Sequence, residues 1–67
     1  MDSKKVRDVG LILLAALQHE QDMAVAASMQ NEPTVADLIW EAYTATTEAM
    51  SKLDRAVMVL EGIEVDE

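Results

Sequence analysis

Five basic side chains, Lys4, Lys5, Arg7, Lys52 and Arg55, are all the fixed positive charge this chain has. Clustered ammonium and guanidinium groups hold phosphates through charge-assisted hydrogen bonds. The hydroxyls of Thr47 and Ser51, close to Lys52 and Arg55 in sequence, supply donors and acceptors for the same kind of ligand. Lys52, Arg55, Ser51, Thr47, Arg7, Lys4 and Lys5 therefore form a candidate anion site. The competing reading is that the acids near them, Asp54, Glu61, Glu64, Asp66 and Glu67, neutralise these charges. Thr44, Thr46, Thr47 and Ser51 likewise read either as a ligand-bonding patch or as ordinary surface and seam filling, since hydroxyl residues are mediocre helix formers.

Other chemistry finds little footing. His19, Glu20 and Asp22 suggest a metal, but a carboxylate-bridged di-metal bundle needs Glu-x-x-His on facing helices, and here the order is His-Glu with one histidine in the chain. With no cysteine, neither a thiolate metal site nor a disulfide framework can form. His19 has no nucleophile and orienting partner around it, and no glycine-rich phosphate loop is present. The expectation is a protein that is not an enzyme and needs no cofactor or metal.

The elements that would position these residues are helical. Ala36, Ile39, Tyr43, Thr46, Met50, Leu53, Val57 and Leu60 recur at alternating spacings of three and four, which keeps them on one helix face. A second row, Val35, Ala42, Ala49, Ala56 and Ile63, lies beside this seam and is mostly small, allowing another helix to come close. Helix 1 is expected over about 4–29, capped by Asp2 or Ser3. Pro33 marks the turn at 30–34, Thr34 is a natural N-cap, and helix 2 runs over about 34–61. Gly62 stops it, leaving an acidic tail at 62–67. The polar run Gln18-His19-Glu20-Gln21-Asp22 exceeds one turn, so it predicts either a kink or a polar layer turned toward the partner helix. The whole of 1–67 is thus one all-α domain, a two-helix antiparallel hairpin.

In such a hairpin, level residues have numbers that sum to about 64, with a rise of about 1.5 Å per residue. Arg7 then stands beside Val57, and all the cations gather at the end away from the turn. Residues 9–17 of helix 1 are apolar nearly all round, whereas one partner helix covers one stripe. Leu11, Ile12, Leu14 and Ala15 would meet water in a monomer, so the hairpins are expected to assemble into a helical-bundle oligomer. Val9, Leu11, Ile12, Leu14, Leu17, Ile39, Tyr43, Met50, Leu53 and Val57 are its expected interface. A chain of 67 residues with no Phe has little core of its own. Its net charge of −8 argues against DNA, RNA and anionic membranes. The apolar run is too short to span a bilayer, and no secretory signal is evident. The expectation is a cytoplasmic protein, bacterial or of an infected host.

One segment resembles a known family. Thr47-Glu-Ala-Met-Ser-Lys-Leu-Asp-Arg-Ala-Val-Met-Val59 is similar to the second helix of the helical-hairpin sponge proteins that phages use against cyclic-nucleotide immune signalling, whose helix reads approximately Ser-Leu-Ala-x-Thr-Lys-Leu-Glu-Glu-Ala-Val-Met-Trp. Ala49, Lys52, Leu53, Ala56, Val57 and Met58 are identical, and Thr47 and Ser51 match hydroxyl for hydroxyl. An Arg often found just before this segment in the family corresponds to Thr44. The resemblance covers this helix segment and does not reach helix 1. It implies a homo-oligomer that sequesters a cyclic nucleotide, an immune-evasion role, with phosphates meeting Lys52 and Arg55. A second resemblance is to the small acidic co-chaperones of type III secretion needle subunits, two-helix hairpins whose second helix places a Tyr, a Leu and an Ala as Tyr43, Leu53 and Ala56 stand here. That one implies an adaptor or chaperone that binds a partner protein helix.

Overall fold

The computed structural model describes residues 1–62. It contains α1 (Ser3–Met29) and α2 (Pro33–Leu60), packed against each other as an antiparallel hairpin. Ile63 and the rest of the expected acidic tail lie outside the described residues.

Local chemistry sets each helix end. The carboxylate of Asp2 accepts the backbone N–H of Lys4 at 3.0 Å, which caps α1 and places an anion at the positive end of the helix dipole. At the other end Asn31 takes φ 60°. The N–H of Asn31 reaches the Ser28 carbonyl at 3.2 Å and that of Glu32 reaches Ala27 at 2.9 Å. This pairing closes a helix with a left-handed residue just past it, and Asn is among the few side chains that accept that conformation. Glu32, not Thr34, occupies the N-cap of α2, without a side-chain cap bond. Pro33 displaces the expected start: its fixed φ suits the first helical position, where the missing N–H costs nothing. Gly62, at φ 75°, follows the end of α2 and donates to Val59 at 3.1 Å.

The polar run does not break α1, which is continuous through 18–22. Four of its residues, Gln18, His19, Gln21 and Asp22, are exposed, and Glu20 turns toward α2. The Thr46 hydroxyl lies 2.8 and 3.1 Å from the Glu20 carboxylate oxygens and 2.9 Å from its own Ala42 carbonyl. One hydroxyl proton serves these acceptors in turn. The result is a half-buried polar layer midway along the hairpin.

On α2 the covered residues are those of the sequence seam, Ala36 through Val57, while Leu60 stays 41% exposed. On α1 they are Val6, Gly10, Leu13, Leu17, Glu20, Ala24 and Ala27, and Ser3, Ala16 and Ala56 beside the seam are half-buried. The core is thin. Val6, Ala24, Ala27, Ala36 and Val57 are its buried members, and no large side chain is fully buried among the described residues. Alanines near the turn let the helices approach closely there, with Ala24 at 0% exposure. The molecule measures 48 × 23 × 12 Å, one layer of helices thick. Its radius of gyration of 15.1 Å compares with about 11 Å for a compact domain of this length. Its surface of 5212 Å² exceeds by about 1,000 Å² that of a compact monomer of this mass.

Candidate functional site

Each seam residue has one neighbour in sequence on either side, and about 100° of rotation per residue sends those neighbours to opposite faces of the hairpin. Residues just after the seam make the front face: Arg7, Leu11, Leu14, Gln18, Gln21, Val25 and Ser28 on α1, with Asp37, Trp40, Thr44, Thr47, Ser51, Asp54 and Met58 on α2. Residues just before it make the back face: Lys5, Val9, Ile12, Ala16, His19, Met23 and Ala26 on α1, with Val35, Leu38, Ala42, Ala45, Ala49, Lys52 and Ala56 on α2.

The front face holds a groove of about 610 Å³ at the end away from the turn. Val6, Gly10, Leu11 and Leu14 form its α1 wall, and Met50, Leu53 and Val57 its α2 wall, with Arg7, Ser51 and Asp54 as the polar members. Gly10 keeps the α1 wall low, because nothing lies within 4 Å of where its Cβ would be. Beyond the groove, Trp40 meets Tyr43 edge to face with ring centroids 5.3 Å apart.

The candidate anion residues do not converge there. Arg7 and Ser51 line the groove, together with the carboxylate of Asp54. Nη2 of Arg7 donates to both carboxylate oxygens of Glu61 at 2.7 Å, tying the first turns of α1 to the end of α2. The pair bridges the open end through two long side chains, and Arg7 lines the groove together with Val57, the residue expected beside it. Thr47 and Thr44 donate to the carbonyls of Tyr43 at 2.9 Å and Trp40 at 3.1 Å, the usual partner of a hydroxyl inside a helix. Lys4, Lys5, Lys52 and Arg55 are exposed and none lines the groove. Lys5 and Lys52 share the back face.

The residues expected between chains divide. Leu17, Ile39, Tyr43, Met50, Leu53 and Val57 are covered within the hairpin itself. Val9, Leu11, Ile12 and Leu14 are 45%, 64%, 66% and 44% exposed, as a single covered stripe on α1 requires. Leu11 and Leu14 belong to the groove, and Ile12 to the opposite face. The covered stripe of α1, which the apolar run left open, sets which side each of them takes. Among the described residues, no three His, Cys, Asp or Glu side chains gather as a metal set, and no helix is long and apolar enough to cross a membrane. These features define an all-α two-helix hairpin with an apolar open-end groove. No family model, curated protein or solved structure matches the chain.

Proposed function

We propose that this chain is a non-enzymatic adaptor whose open-end groove receives the apolar face of a partner protein's helix. The observation that carries this reading is the lining of the groove, apolar on both walls and bordered by Arg7, Ser51 and Asp54. Amphipathic helices dock in such grooves through side chains spaced by three and four. A net charge of −8 favours a partner helix with basic flanks. The same charge, the engagement of Arg7 by Glu61 and the place of Asp54 in the groove make a cyclic-nucleotide sponge the weaker reading.

A photo-crosslinking amino acid placed at Leu11 in the source cell should capture a protein. With that protein purified, Leu14→Glu should weaken its binding at least about tenfold, because a charge would enter an apolar contact. Calorimetry against cyclic di- and trinucleotides should give no heat. Heat that disappears in Lys52→Glu would overturn the adaptor and restore the sponge.

A further inference from the structure

We propose that the back face is a docking surface for a second copy of this chain, the two hairpins stacking antiparallel about a twofold axis as a four-helix bundle. The inference stands apart from the groove, which stays open on the outer side of each hairpin.

Area gives the first reason. The molecule as a whole exposes about 1,000 Å² more than a compact monomer, and on the back face Val9, Ile12, Met23, Val35 and Leu38 are 45–66% exposed. The surface also has the right shape. Ala42, Ala45 and Ala49 are exposed at the middle of α2, and side chains this small let two helix axes approach to about 8 Å.

Charge selects the occupant and its direction. Lys52 lies on the back face toward the open end, and Glu41 lies at the edge of the same flank toward the turn; both are exposed. A twofold axis that reverses chain direction brings like flanks together. Centred between Thr46 and Thr47, it sets Lys52 level with Glu41 of the second copy, and the pair occurs twice. Parallel stacking would instead lay α2 over α1 of the second copy and set Lys52 against the apolar stretch around Ile12 and Ala16, with no carboxylate to meet it.

The α1 helices then agree without adjustment. Thr46 bonds Glu20, so the axis passes α1 near Glu20. Met23 falls within one residue of the level of Ala16 of the second copy, and Ile12 close to the level of the exposed Ala26. Large side chains thus oppose small ones, as interdigitating layers require.

Sedimentation and light scattering over a concentration series should show a species of twice the 7.4 kDa chain mass. Lys52→Glu should weaken it about tenfold, by replacing two attractions with two repulsions. Lys52→Glu combined with Glu41→Lys should restore it to within about threefold, and the two positions are about 16 Å apart along one helix, so rescue has no route inside a single chain. The chain has no cysteine, which permits a register test independent of stability. Mixed Ala45→Cys and Ala49→Cys chains should form disulfides with each other in preference to themselves. A monomer at high micromolar concentration, a larger assembly, a double swap as weak as the single one, or preferential self-crosslinking would each overturn the proposal.

Discussion

The front and back faces arise from one seam, read one residue ahead of it and one residue behind it, yet they present different chemistry. Behind the seam, Val9, Ile12, Ala16, Met23, Leu38, Ala42, Ala45, Ala49 and Ala56 leave only Lys5, His19 and Lys52 as polar members. Ahead of it, Gln18, Gln21, Thr44, Thr47, Ser51 and Asp54 alternate with Leu11, Leu14, Val25, Trp40 and Met58. Water can solvate the front face between its apolar groups. Over the back face it meets a nearly continuous hydrocarbon surface, at about 25 cal/mol per Å². The difference teaches where a two-helix chain without a core of large side chains finds the rest of its stability: on the side where alanines keep the surface flat.

The most damaging test removes the seam that both faces share. Ala24 is fully covered between the helices, so Ala24→Leu must push them apart. Overpacking of this kind costs about 1–3 kcal/mol, a large share of what so small a core supplies. Urea denaturation followed by circular dichroism should show the loss, and both self-association and groove binding should fall with it. A variant as stable as the parent would mean that the helices do not meet at this position.

A second pair of variants separates the faces. Ala49→Glu should reduce self-association more than about tenfold, since it buries a carboxylate against alanine, while leaving groove binding intact. Leu14→Glu should do the reverse. Both positions are exposed in the hairpin, and Glu is a good helix former, so helicity should survive in each. If Leu14→Glu dissolves the assembly and Ala49→Glu does not, the two faces exchange roles.

Much of this fold was legible in the sequence because its signals are local. The spacing from Ala36 to Val57 marks the covered face of α2, Pro33 marks the turn and Gly62 the stop. The polar run at 18–22 left two outcomes, and the contact of Glu20 with Thr46 decides for a polar layer in a continuous helix. Phase was less legible than period. Which stripe of α1 is covered does not follow from residues 9–17, where nearly every position is apolar. The candidate anion site depended on that phase. Without it, seven residues near one end read as a cluster, whereas in the hairpin Ser51 and Arg7 look to the front and Lys5 and Lys52 to the back.

The smallest expected effect sharpens the comparison at the rim of the groove. Arg7 and Glu61 join at 2.7 Å, but their side chains are 58% and 34% exposed. Exposed ion pairs of this kind contribute less than about 1 kcal/mol, because solvent screens them and both long side chains lose freedom. Arg7→Gln should therefore shift the urea midpoint only slightly, and less in high salt than in low salt. Self-association through the back face should be unchanged, since Arg7 points to the other side. Binding of a basic-flanked helix in the groove should be equal or stronger, because a cation leaves its wall. A large loss of helix binding would instead show that Arg7 holds an acidic group of the partner, and would reverse the charge assigned to whatever the front face receives.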